Sequence, residues 1–376
     1  MPVGVALTLV TGLLLGGHVP PPWSISGHGG PTALSRGGPS PRRSEGPQGQ
    51  PAQPEETQHG RPDPPRVWFT PGPGTLDMLR LFEMPDEWAE ARARISVFKF
   101  YRSQLLDEPD PMVGPNTYDA LRRVDALRTI TRVWQKRIAI EVSAVKDFTC
   151  TDDMSGTDGE IRRALEAIRA VRAAGGEVAY LALDEPFTAT VQSPRCGGRD
   201  LGPTLDRLER FFAGVRLGAP RVQIGLIEQF PTSSGAEVLD DVRLMIARGI
   251  RPAFFHLDAD LNALPKGSGR FEREIPALAD ALEAEGVPFG VIFFGHDGDS
   301  DERYTKDALA YVRRAAKALP RLPRDIVFQS WARSKAGRWV TPRNLPEWEP
   351  DSHTALVDAG MGILLKPRGP AVPRGR

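Results

Sequence analysis

The feature that most constrains this chain is a series of eight short apolar runs, separated by stretches of helical periodicity, most of them ending in polar side chains. In order they are Val67–Thr70, Ile95–Tyr101, Ile138–Val145, Val178–Glu185, Val222–Gln229, Ala253–Asp260, Phe289–Gly295 and Ile326–Trp331. Strands that alternate with helices need crossover connections, and hence parallel βαβ units. Eight units match a closed (β/α)8 TIM barrel, a single α/β domain of about 250 residues or more. Reacting groups in that architecture gather where the strands end, so the polar ends of the runs are the candidate site. The rival, a doubly wound open sheet, carries a glycine-rich phosphate loop after its first strand. Here that position reads Pro71-Gly72-Pro73-Gly74, which is not G-x-G-x-x-G, and no G-x-x-x-x-G-K-[ST] occurs.

Between the runs, Thr75 is placed to cap a helix running toward Met84, broken at Pro85 and resumed through Ala91. Asn116 opens a helix carrying Leu121, Val124, Leu127, Ile130 and Val133-Trp134 at helical spacing. Gly159–Ala174, Leu205–Val215, Ala236–Arg248, Phe271–Glu285 and Asp301–Leu319 follow, the last with Asp299 or Ser300 as its cap. A closing helix falls near Asp351–Ala359.

Outside the barrel, expected over residues 66–368, the chain reads differently. Residues 1–17 include an apolar run too short to span a bilayer. The run suits the core of a secretory signal peptide, although no Lys or Arg precedes it and no A-x-A site follows. Export to a secreted or periplasmic location is the expectation, with a cytosolic leader as the alternative. Residues 18–65 are rich in Pro, Gly, Ser and Arg without apolar periodicity and read as a disordered linker. His18, His28 and His59 within it read as solvated. Residues 369–376 read as a disordered tail.

Lys plus Arg and Asp plus Glu number 48 each, so the formal net charge is zero. No broad field steers the protein toward nucleic acid or an anionic membrane. The two cysteines, Cys150 and Cys196, fall in loops after the third and fourth strands, on the same barrel face, where a disulfide is possible in an exported protein.

Strand side chains alternate between barrel interior and helix layer. Parity places Lys99 with Tyr101, Glu141 with Ser143, Glu228 with Leu226, His256 with Asp258 and Asp260, and Gln329 with Trp331. Strand four ends in Asp184-Glu185-Pro186, where either acid can point inward, and strand seven ends in His296-Asp297. Several acids at one mouth raise one another's pKa and cost stability, which calls for a reason. Catalysis by a carboxyl pair is one; an ion pair such as Lys99 with Glu141 is the structural alternative.

The pair Asp184-Glu185 before Pro186 resembles the (β/α)8 glycoside hydrolases, many of which carry their acid/base Glu at the end of strand four. The resemblance implies Glu185 as acid/base and a carbohydrate substrate, with no cofactor. It departs at strand seven, where those enzymes place a nucleophile Glu and this chain has Phe294-Gly295-His296-Asp297. The partner carboxylate is then Glu228, adjacent to strand four, or Asp258, or Asp297. Lys99, Tyr101, Glu141, Asp184, His256, Asp260, His296, Asp297, Gln329, Trp331 and Arg333 are the expected substrate contacts. The segment from Trp331 through Trp339, Arg343, Asn344 and Trp348 supplies rings and donors suited to sugars.

Two other readings stand beside this one. A metal-dependent hydrolase would use His256, Asp258, Asp260 and His296-Asp297 as ligands. A non-catalytic carbohydrate-binding barrel would account for the missing strand-seven Glu. No G-x-S-x-G elbow occurs. Lys99 and Lys146 are the lysines near enough for Schiff-base chemistry, with Lys99 more readily an ion-pair partner of Glu141.

Overall fold

The computed structural model describes residues 64–106, 113–146, 153–196, 198–331 and 342–366. They contain eight strands in sequence order, each hydrogen-bonded in parallel to the next, with the eighth closing on the first. The strands are β1 (Arg66–Thr70), β2 (Val97–Tyr101), β3 (Arg137–Val142), β4 (Val178–Asp184), β5 (Gln223–Phe230), β6 (Phe255–Ala259), β7 (Phe289–Phe293) and β8 (Asp325–Gln329). Each lies on one of the apolar runs of the sequence.

The helices are α1 (Arg80–Glu83), α2 (Ala89–Arg94), α3 (Tyr118–Arg123), α4 (Ala126–Arg128), α5 (Ser155–Ala173), α6 (Pro186–Gln192), α7 (Gly202–Gly218), α8 (Gly235–Ala247), α9 (Arg270–Ala284), α10 (Asp301–Ala318) and α11 (His353–Leu364). Ser300 caps α10 by accepting from the Arg303 N–H at 3.2 Å. Ser234 and Glu237 form a reciprocal capping box on α8.

Two local expectations need correction, and one short helix was not expected. Thr75 caps no helix; its hydroxyl donates to Gly72 O at 2.8 Å, and α1 begins only at Arg80. The helix expected from Asn116 is broken at Asp125, which is left-handed (φ 53°), and ends in a π-turn over Thr129–Val133. Asn116 lies before it, donating to Pro73 O at 2.9 Å and Thr75 O at 2.7 Å. The short helix α6 has too little apolar periodicity to be read from sequence; it exists because Pro186 sets the first helical turn.

The outer strand faces pack on the helices, as where Phe293 of β7 meets Tyr311 of α10 at 5.0 Å between ring centroids. The barrel interior is filled rather than open. At its floor, Trp68 lies 5.0 Å from Tyr180, 5.1 Å from Phe254 and 4.7 Å from His256. Two inward positions are glycine because these rings take the space: a Cβ at Gly225 would meet Phe254 at 2.4 Å, and one at Gly290 would meet His256 at 2.6 Å.

Candidate active site

Above that packed floor, at the C-terminal ends of the strands, lies a cavity of about 220 Å³. Tyr101 from β2, Glu141 from β3, Asp184 and Glu185 at the end of β4, Ile227 from β5, Asp258 from β6, and Gln329 and Trp331 at the end of β8 line it, together with Lys146 from the loop after β3. Six strands therefore converge on one small volume in which acids outnumber the lysine.

Two lysines hold these acids. Lys99, fully buried beneath the cavity, ion-pairs with Glu141 and donates to Gln329 Oε1. Gln329 Nε2 in turn donates to Tyr101 Oη at 3.0 Å and to Glu141 Oε2 at 3.1 Å, and Tyr101 Oη donates to Ser330 O at 3.2 Å. This is a rigid chain of side chains under one wall. Burial raises the Glu141 pKa; Lys99 opposes the rise and the Asp184 charge adds to it. Burial, with the Glu141 charge adding, raises Tyr101 well above the usual phenol range.

Lys146 bridges the other wall, donating to Asp184 Oδ2 at 2.7 Å and to Glu185 Oε2 at 3.0 Å. Burial raises the Glu185 pKa, the neighbouring Asp184 charge adds to the rise, and Lys146 opposes it. The two acids can share Lys146 because the strand ends between them. Glu185 takes a left-handed conformation (φ 49°), so the alternation of faces that would have sent its side chain outward is lost.

Asp258 has no such support. No hydrogen bond or ion pair holds its carboxyl among the described residues. Burial pushes its pKa well above the carboxylate range, and the charges of Glu185, Asp184 and Glu141 push it further. With no cation or donor in contact to hold its charge, the protonated form of this carboxyl is favoured.

Several expected residues lie elsewhere. Glu228 does not reach the cavity: Ile227 takes the inward position on β5, and Glu228, 2% exposed, points into the helix layer. Its carboxyl accepts from the N–H groups of Phe187 and Thr188 and the Thr188 hydroxyl. Burial raises its pKa, and those three hydrogen bonds to the carboxylate oppose the rise. The pairing of Glu185 with Glu228 at the mouth is therefore not made. His256 shares the face of Asp258 but lies a layer lower, where its Nε2 meets Asp325 Oδ2 at 3.0 Å. Arg66 and the Trp68 indole also donate to Asp325, so His256 belongs to the barrel floor and not to a substrate site. Lys99 likewise acts from beneath.

At the rim, Asp260 caps the turn at Leu261–Ala263, accepting from Asn262 N–H at 2.9 Å and Ala263 N–H at 3.2 Å. Asp297 pairs with Arg303 at 2.5 Å and accepts from the Asp299 N–H, which removes it as a partner for Glu185. His296 Nδ1 sits 3.5 Å from Asp260 Oδ1, with its ring against Phe294. Phe294 also supports Trp331, at 4.2 Å between centroids. Among the described residues no three His, Cys, Asp or Glu side chains are placed to hold a metal ion. Arg333, Trp339 and Cys150 lie outside the described residues, while Cys196 is buried in the loop after α6. Trp348 is exposed on the surface.

Ile227 completes the site without having been expected there, and Lys146, considered only for Schiff-base chemistry, serves instead as the counter-charge of Asp184 and Glu185. That role had a sequence signal: acids at the ends of β3 and β4 require a counter-charge, and Lys146 follows β3 closely.

No protein-family model matches the sequence, and no curated protein matches it. Solved structures are similar to it. GH5_18 from Streptomyces cattleya, in complex with GlcNAc, is 10% identical, covering 82% of this chain and 82% of that one at a TM-score of 0.48. A glucosidase from Croceicoccus marinus is 14% identical over 78% of this chain and 67% of its own, at a TM-score of 0.45. Xylanase 10B from Thermotoga maritima is 9% identical over 71% and 83%, at 0.44.

Proposed function

We propose that this barrel is a glycoside hydrolase that cleaves a glycosidic bond in an oligo- or polysaccharide, with Asp258 and Glu185 as its paired carboxyls. The observation that carries the reading is the difference between their surroundings within one cavity. Asp258 is unpartnered and raised, which keeps a proton on it; Glu185 is tied to Lys146, which favours its charge. Asp258 would give its proton to the leaving glycosidic oxygen. Glu185 would act as base toward water or as the nucleophile itself. The role of Glu185 thus differs from the acid/base role that the strand-four resemblance implies. Glu141, Tyr101 and Gln329, locked together by Lys99, would accept and donate hydrogen bonds to sugar hydroxyls, and Trp331 would stack on a ring face.

A screen of aryl glycosides and oligosaccharides, followed by Asp258→Asn and Glu185→Gln, tests this. Each variant should lose about 10²–10⁴-fold in turnover with KM changed only a few-fold. Asp258→Asn cleaving at the parental rate would refute the assignment. Glycan binding without cleavage by the parent would favour the non-catalytic barrel.

Export is proposed on the apolar run within residues 1–17, and a Cys150–Cys196 bridge on the sequence positions of the two cysteines after the third and fourth strands. N-terminal sequencing of the mature protein and a non-reducing peptide map test them.

A further inference from the structure

The first N–H groups of a helix lack intrahelical partners, and the residue entering the helix commonly meets them with its own side chain. Glu185 is the N-cap of α6, yet its side chain makes no such bond; it is turned to Lys146 in the cavity instead. Pro186 has no N–H, which leaves those of Phe187 and Thr188 to be satisfied. Both are met from the neighbouring strand. The Glu228 carboxyl accepts from Phe187 N–H at 2.8 Å, from Thr188 N–H at 2.9 Å and from the Thr188 hydroxyl at 2.8 Å. One residue earlier on β5, the Ile227 carbonyl accepts the N–H of Glu185 at 3.0 Å. Two successive residues of β5 therefore hold the left-handed turn on which Glu185 sits.

We propose that Glu228 is a positioning residue: it caps α6 in place of the Glu185 side chain, and so leaves the Glu185 carboxyl to face the cavity. This rests on the reading of Glu185 as a reacting carboxyl. Glu228 itself is on the outer face of β5 and touches no substrate. Its sequence neighbour Ile227 supplies the cavity wall, so one dipeptide of β5 shapes the pocket with one side chain and aims the carboxyl with the other. Replacement by glutamine keeps the volume but sets an NH2 group among three converging donors. A donor left unmet at the helix start then draws the Glu185 carboxyl back to its ordinary capping place.

The test combines a double-mutant cycle with amide exchange. Glu228→Gln should lower kcat about 10–100-fold, the scale of a misplaced reacting group, with KM nearly unchanged. It should speed exchange of the Phe187 and Thr188 amides, and add nothing to the loss in a Glu185→Gln background. Thr188→Val, which removes one of the three donors to Glu228 together with a long contact to the Gln229 N–H, should show the same pattern at smaller size and serves if Glu228→Gln fails to fold. Losses that multiply in the double variant would overturn the proposal, because a general structural role is blind to Glu185. Unchanged kcat with faster exchange would overturn it too. If the parent cleaves no glycan, the glycosidase reading falls separately. The cap is then judged by carboxyl NMR: the Glu185 titration moves in Glu228→Gln if the cap aims it, and an unmoved titration refutes the proposal.

Discussion

Lys146→Met keeps the side-chain stem and removes the ammonium that contacts both Asp184 and Glu185. The size of the effect follows from the geometry. Unit charges in contact at about 4 Å interact by about 4 kcal/mol at an effective dielectric of about 20. The Lys146 side chain is 34% exposed, so water screens part of this. Taking about half leaves about 2 kcal/mol, or about 1.5 pK units at about 1.36 kcal/mol per unit. Loss of the cation disfavours the ionised form, so the Glu185 pKa, already raised by burial and Asp184, rises further. A reaction that needs ionised Glu185 then fails at a higher pH than in the parent, and the acidic limb of the kcat/KM profile moves up by about 1–2 units. Stability follows the same sign. A carboxyl whose folded pKa lies above its unfolded value binds protons more tightly when folded, so its contribution is lost as pH rises through the folded pKa. The variant should therefore be close to the parent in acid and fall behind it toward alkaline pH. The assay is the pH dependence of kcat/KM on an aryl glycoside, with thermal midpoints over the same range. An acidic limb that stays in place, with a stability gap independent of pH, would refute the electrostatic account of the mouth.

Other perturbations probe other parts of the molecule. His353 is fully buried with neither ring nitrogen hydrogen-bonded, and burial lowers its pKa to about 3. The unfolded chain takes up its proton first as pH falls, so stability is lost between about 6.5 and 3, on the order of 5 kcal/mol in all. His353→Leu should remove that dependence, seen in denaturant midpoints across the acid range. Asp325→Ala strips partners from Arg66, Trp68 and His256 at once and should destabilise by about 3–5 kcal/mol in chemical denaturation. Trp331→Ala should weaken oligosaccharide binding about tenfold by calorimetry while leaving the thermal midpoint near the parent's, because its ring is half-buried at the cavity edge.

The barrel was legible because eight apolar runs alternate with helical periodicity, and because parity alone places Lys99 with Tyr101 and Gln329 with Trp331. Depth was not legible. His256 and Asp258 share a face, yet one lies on the floor beside Asp325 and the other at the mouth. Only the register between β6, β7 and β8 separates the two levels, through Gly290, which pairs with both His256 and Asp325.

Parity failed at β5 for a physical reason. Alternation identifies a face only where one side is solvent-exposed, and both faces of β5 are covered: Ile224 and Leu226 face the helices while Ile227 faces the cavity. Glu228 shares its row with Ile224, Leu226 and Phe230, which face the helix layer, so its charge alone suggested the mouth. A different line of reasoning reaches the right answer. If Glu185 enters a helix at Pro186 and also works in the cavity, its carboxyl cannot cap that helix, and the N–H groups of Phe187 and Thr188 need another acceptor. On the neighbouring strand β5, Glu228 is a carboxyl that can serve only if it points outward. The same dipeptide then puts Ile227 inward, and Asp258, one strand further on, becomes the carboxyl that faces Glu185 across the cavity. Assigning Glu228 to the cap and Asp258 to the reaction are thus two sides of one constraint, and a glycosidase assay in which Glu228→Gln costs more than Asp258→Asn would break both.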